Sequence, residues 1–137
     1  MSQVVLLDNE AVQALADPGH ANHRRVLSHV QVVAHRKRRS VPIRVEVPTS
    51  VRVEAGWDRT APAWAFLNRL RIADAALDTT HADAAAAIRS RAGVSVADAH
   101  LGALIRSASS ERVTVITSDP DDMRVVAGTT KITVVTI

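Results

Sequence analysis

The chain has 137 residues and a net charge of +3, with 47% hydrophobic and 23% charged residues, which suits one globular domain able to bury a real core. It has no cysteine, so disulfides, zinc knuckles and thiol catalysis are excluded together. Trp57, Trp64 and Phe66 are the only members of the Phe, Trp and Tyr set, so the core must be aliphatic and a base-stacking platform is disfavoured.

In chain order, QVVLL (3–7) reads as a short buried strand ending at Asp8, followed by a helix over about 10–16 that closes at Asp17-Pro18-Gly19. NHRRVLSHVQVVAHRKRR (22–39) carries Val26, Leu27, Val30, Val33 and Ala34 at helical spacing. VPIRVEV (41–47) alternates as a strand, and Pro48-Thr49-Ser50 opens a helix bearing Val51, Glu54, Ala55 and Trp57. A helix is predicted over about 62–70 and a weaker strand over 71–77. Thr80-His81-Ala82-Asp83 fits a capping box for an alanine-rich helix that ends at Gly93, and Ser95-Val96-Ala97-Asp98 fits another for a helix through about 108. VTVIT (113–117) is a strand, Pro120 starts a short helix, and ITVVTI (132–137) is the last strand.

Alternating strands and helices predict an α/β fold: three layers, α/β/α, around a mostly parallel sheet of about five strands, within one domain spanning 1–137. Such sheets hold their sites beyond the C-terminal strand ends, where strand order reverses. No apolar run approaches the ~20 residues of a bilayer span and no basic leader precedes an apolar stretch, so a cytoplasmic protein is expected.

The segment VTVITSDPDDM ends an apolar strand in a proline and three carboxylates. Asp119 as a helix N-cap, with Pro120 at the first helical position and Asp121 and Asp122 complementing the helix dipole, explains it locally. Asp8 can cap the first helix in the same way, Glu54 can pair with Arg52 or Arg59, and Asp98 can complete the box with Ser95. Local roles do not explain why these acids fall at the ends of strands and the starts of helices that one sheet edge would gather. Carboxylates without sulfur or clustered imidazole suit Mg²⁺ or Mn²⁺.

The order of LLDNEAV, VPTSVRVEAGW, VSVADAHLGAL and VITSDPDDM resembles the PIN-domain ribonucleases, specifically the VapC-like toxins of bacterial toxin–antitoxin pairs, over essentially the full length. The resemblance implies a catalytic set of Asp8, Glu54, Asp98 and Asp119. Metal ligation would fall to Asp8, Asp98, Asp119 and Asp121, with Glu54 either a ligand or the water-orienting base. Thr117 matches the small hydroxyl residue before the last acid, whereas Asn9 stands where the family usually has Ser or Thr. Glu46 lies before Pro48, outside the motif, and is rejected. The implied activity is Mg²⁺- or Mn²⁺-dependent endonucleolytic cleavage of single-stranded RNA leaving a 5′-phosphate. The implied partner is an antitoxin protein.

No carboxylate lies between Asp17 and Glu46, an interval that holds Arg24, Arg25, Arg36, Lys37, Arg38, Arg39 and Arg44. Arg36, Lys37, Arg38 and Arg39 are candidates for holding an RNA backbone, for meeting an acidic antitoxin segment, or for a solvated loop. Trp57, Trp64, Phe66 and Leu67 could form a homodimer face or plain core, and the histidines form no metal motif. Two other classes compete: a phospho-receiver-like signalling domain, for which the acid after the first strand and the late Lys131-Ile132 are poor matches, and a catalytically inactive PIN-like binding or scaffold protein.

Overall fold

The computed structural model describes residues 2–35 and 42–137. Five strands, β1 (Gln3–Leu7), β2 (Ile43–Pro48), β3 (Ile72–Ala75), β4 (Arg112–Thr117) and β5 (Thr133–Thr136), form one sheet in the order β3-β2-β1-β4-β5. All four pairings are parallel. β1 is an almost continuous apolar run, and β4 is buried over its last three residues, Val115 to Thr117, as central strands covered on both faces require. The helices among the described residues are α1 (Asn9–Ala16), α2 (His23–His35), α3 (Thr49–Ala55), α4 (Ala65–Arg69), α5 (Thr79–Ala92), α6 (Val96–Ser107) and α7 (Pro120–Ala127). α1 packs against α2, α3 and α4, while α6 packs between α5 and α7. This is the α/β, PIN-like arrangement expected from the strand–helix alternation.

The chain builds outward from β1 through β2 to β3, then returns to the other side of β1 for β4 and β5. The reversal of strand order therefore lies between β1 and β4, whose register pairs Leu7 with Ile116. Asp8, the next residue after β1, donates its backbone N–H to the Ile116 carbonyl at 3.2 Å.

The core is aliphatic: Leu6, Leu7, Leu15, Leu101, Ile105, Val115 and Ile116 are essentially inaccessible. Each such side chain contributes roughly 1.5–3 kcal/mol by leaving water. α6 is buried almost all round from Ala97 to Ile105, so it serves as the central helix of its layer. Gly102 on α6 sits so close to α7 that a Cβ there would lie 2.7 Å from the Val126 Cβ. Trp57 and Leu67 are core, each 2% exposed, which removes them from any homodimer face; Phe66 is exposed.

Several boundaries differ from expectation. α3 closes at Ala55 because Gly56 takes the left-handed conformation, with φ 76°, so Trp57 lies beyond the helix. The helix predicted over 62–70 begins as a 3-10 turn at Pro62–Trp64, where the Trp64 N–H bonds back to Ala61, before α4 starts at Ala65. The strand predicted over 71–77 is shorter, at Ile72–Ala75. That early end brings Asp78 to the N-cap of α5, where its side chain accepts from the His81 N–H; the expected capping box at Thr80 does not form. Asp78 caps equally well and lies two residues earlier. Gly93 ends α5 in the left-handed region, with φ 66°, as predicted. Arg36, Lys37, Arg38 and Arg39 lie outside the described residues.

Candidate active site

At the C-terminal edge of β1 and β4, Asp8 is 7% exposed and does two jobs at once. Its Oδ1 accepts the Ala11 N–H at 2.8 Å, capping α1, and its Oδ2 accepts the Ser118 N–H at 3.2 Å, tying it to the chain leaving β4. Burial raises its pKa; the Thr117 hydroxyl and the Ala11 and Ser118 N–H groups oppose that rise, and the Glu10 charge adds to it.

Asp98 lies in the first turn of α6, where its backbone N–H is capped by Ser95 Oγ at 3.1 Å. Its carboxyl is pushed up to about 6, first by burial and then by the charges of Asp122, Asp8, Glu54 and Asp119, in that order. Those acids come from α7, the end of β1, α3 and the end of β4. Asp98 therefore lies in the field of four other carboxylates, a relationship that capping alone does not produce.

Glu54, exposed in the last turn of α3, accepts from Asn9 Nδ2 at 3.2 Å, and Asn9 Oδ1 accepts from Gln13 Nε2 at 3.4 Å. Asn9, which departs from the family's usual hydroxyl, thus links Glu54 to α1. Arg52 and Arg59, the alternative partners for Glu54, both hold Asp74 instead. Thr117 is fully buried, and its Oγ1 accepts the Asp119 N–H at 2.9 Å. Asp119 is exposed and caps α7 by accepting from the Asp122 N–H at 3.2 Å. The two roles are thus compatible: Asp8 and Asp119 each cap a helix and each bear on the Asp98 charge.

One candidate points elsewhere. The Asp121 side chain is 96% exposed and faces Arg124 at 3.9 Å, one turn along the surface of α7. The α7 acid whose charge bears most on Asp98 is Asp122, whose own pKa is raised by contact with Asp119, by burial and by the Asp119 and Asp121 charges. The sequence left Asp121 and Asp122 undecided and favoured Asp121, although Asp119-Pro120-Asp121-Asp122 has the cap-to-third-residue spacing of a capping box, as Ser95 to Asp98 does. In that geometry the third helical residue turns back toward the cap and the second turns outward. Glu46 pairs with Arg44, which also forks onto Glu111, and plays no part in the cleft.

The donors of this cleft are oxygens only. Among the described residues, no three acidic or histidine side chains converge into a ready cage for an ion. Among the described histidine side chains, His20 Nε2 meets Glu10 at 2.8 Å, His23 Nδ1 meets the Ala14 carbonyl at 2.8 Å, His81 Nδ1 meets Asp78 at 2.7 Å, His100 is fully buried and His29 is exposed. No helix among the described residues is long and apolar enough to cross a membrane.

No family model matches the chain, and no curated protein matches it in sequence. Among solved structures it is similar to FitAB bound to an IR36 DNA fragment, with 17% identity and a TM-score of 0.59 over 96% of this chain and 94% of that one. It is also similar to FitAcB from Neisseria gonorrhoeae, with 17% identity and a TM-score of 0.56 over 95% of each chain. At that identity the likeness speaks for the fold, end to end.

Proposed function

We propose that this chain is a Mg²⁺- or Mn²⁺-dependent endoribonuclease acting on single-stranded RNA, and the toxin of a toxin–antitoxin pair. The observation that supports the reading is that the charges of Asp122, Asp8, Glu54 and Asp119, from four separate elements, all bear on the half-buried Asp98 beside the β1–β4 reversal. A divalent cation relieves that repulsion. Asp8, Asp98, Asp119 and Asp122 would hold it, directly or through water, with Asp121 left in solvent. When bound, such an ion supplies charge stabilisation to a phosphodiester and a more acidic attacking water. Glu54, exposed and steered by Asn9, is suited either to ligation or to orienting that water. Thr117 buttresses Asp8 and Asp119.

The toxin part of the reading rests on the sequence resemblance to VapC-like proteins, and the fold shared with FitAB supports it. Arg36, Lys37, Arg38 and Arg39 are proposed to grip the RNA backbone, or the antitoxin in its place. The receiver reading loses ground on two counts. Its usual order sets β1 between β2 and β3, whereas β1 here lies between β2 and β4. The acids around β3 are also committed: Asp74 to Arg52 and Arg59, and Asp78 to capping α5.

The test is cleavage of end-labelled single-stranded RNA by the purified chain with Mg²⁺, with Mn²⁺ and with chelator. Metal-dependent internal cuts bearing 5′-phosphates, lost in Asp98→Asn, are expected. Metal binding without any cleavage of RNA would turn the reading toward an inactive PIN-like binding protein.

A further inference from the structure

α3, which carries Glu54, cannot set its own position. It has seven residues, its N-cap is Pro48, and no side chain caps its first turn. Its placement must come from its neighbours. Thr49 Oγ1 accepts the Leu77 N–H at 3.1 Å, Arg52 reaches Asp74 at 2.8 Å, and Asn9 meets Glu54 at 3.2 Å. Among the described residues, one hydrogen bond joins α3 to α6, the helix of Asp98: Ser50 Oγ to His100 Nδ1, at 2.7 Å. Ser50 lies one turn before Glu54 on the same face of α3.

His100 is fully buried, which favours the neutral ring. Its Nε2 makes no hydrogen bond of good geometry, although the Ala76 backbone lies near enough to raise the ring's pKa. The tautomer with the proton on Nε2 suits both sides. Nδ1 then accepts from the Ser50 hydroxyl, and the N–H faces Ala76 rather than leaving a bare lone pair in the core.

We propose that His100 is a positioning residue, which through Ser50 fixes Glu54 of α3 at a set separation from Asp98 of α6. The inference rests on the nuclease reading above and adds to it a link outside the acidic set. His100 touches neither metal nor RNA; it acts through α3.

The test uses the full chain, with Mn²⁺ alone as the probe in titration calorimetry and RNA cleavage measured in parallel. Ser50→Ala removes one hydroxyl from a half-buried place and is the variant on which the proposal stands. It should lower kcat about tenfold, the lower range for loss of an outer-shell partner, while leaving KM for RNA unchanged, and should weaken Mn²⁺ binding to a like degree where Glu54 ligates the ion. His100→Leu should do the same, and the double variant should be no worse than the weaker single, because both remove one interaction. His100→Asn, whose Oδ1 can accept from Ser50, should recover Mn²⁺ affinity even if its melting temperature stays low. Wild-type Mn²⁺ affinity together with wild-type kcat in Ser50→Ala, or additive losses in the double, would overturn the link while leaving the nuclease intact. A wild-type chain that neither binds Mn²⁺ nor cuts RNA would remove the nuclease reading, and this link with it.

Discussion

The carboxylate of Asp8 accepts the backbone N–H of Ser118 at 3.2 Å, so the acid that ends β1 is fastened to the chain as it leaves β4. Two strands separated by more than a hundred residues thereby deliver their acids to one place. Asp8 is nearly buried there, with its pKa raised by burial, whereas Asp98 is raised by burial and by the other acids. Asp98→Asn should lower RNA cleavage by about a hundredfold or more, the upper range for loss of groups around a metal. Asp8→Asn should abolish cleavage similarly, but it gives up charge-strengthened acceptance from Ala11 and Ser118, so its melting temperature should rise less than that of Asp98→Asn. Cleavage assays paired with thermal melts check both halves; undiminished cleavage in both variants would rule out the cleft.

The pH dependence of stability follows from the sign of the Asp98 shift. Its carboxyl rises from 3.8 to about 6 on folding, so between those values the folded chain binds more protons than the unfolded one. Its contribution is most favourable below pH 3.8 and is lost as pH rises through 6. Without metal, Asp98→Asn should therefore melt above wild type at neutral pH, with the gap closing toward pH 4. After allowance for solvent screening, that gap is about 1 kcal/mol, or several degrees. Millimolar Mn²⁺ should reverse it by raising the wild-type melting temperature through linkage and leaving the variant nearly unmoved. Melts at pH 4 to 7.5, with and without Mn²⁺, test the sign; a gap that widens toward pH 4 would contradict it.

Much of this arrangement was legible in the sequence because each acid adjoins a strong local signal. Asp8 and Asp119 follow short apolar runs, and Asp98 follows Ser95 at capping distance, so the edge they share follows once β1 and β4 are neighbours. What depended on helix phase was harder. Whether Asp121 or Asp122 faces the cleft turns on a rotation of one residue about α7, and composition carries no information about it. The Thr80 cap failed for a related reason: β3 stops early enough for Asp78 to cap first. The bond between Ser50 and His100 joins residues fifty positions apart and depends wholly on how α3 docks on α6.

Gly102 fixes the relation between two acid-bearing helices. A Cβ at that position would lie 2.7 Å from the Val126 Cβ and 2.8 Å from the Val126 carbonyl oxygen, and that oxygen belongs to the backbone of α7. Backbone cannot swing aside as a flexible side chain can, so Gly102→Ala must push α7 away from α6. A cost of roughly 1–3 kcal/mol is expected for such overpacking. Because Asp119 and Asp122 begin α7 and Asp98 begins α6, Mn²⁺ affinity should fall together with the melting temperature. Titration calorimetry beside thermal unfolding tests the coupling; an unchanged melting temperature would mean that the two helices slide apart at no cost.

The phase of α7 gives the sharpest contrast between two adjacent residues of identical chemistry. Asp121 is the second residue of the helix, solvated and facing only Arg124 at 3.9 Å, a contact worth little at an exposed site. Asp122 is the third; its N–H bonds the Asp119 carboxylate, and its charge is the largest of those acting on Asp98. Asp122→Asn should weaken Mn²⁺ binding by about tenfold or more and reduce cleavage in proportion. It should also lower the pKa of Asp98, because one repelling charge is gone, so the metal-free chain should become more stable at neutral pH. Asp121→Asn should leave metal affinity, cleavage and melting temperature near wild type. Mn²⁺ titrations of the two variants side by side decide the matter: a larger loss in Asp121→Asn would mean that α7 presents its other face to the cleft.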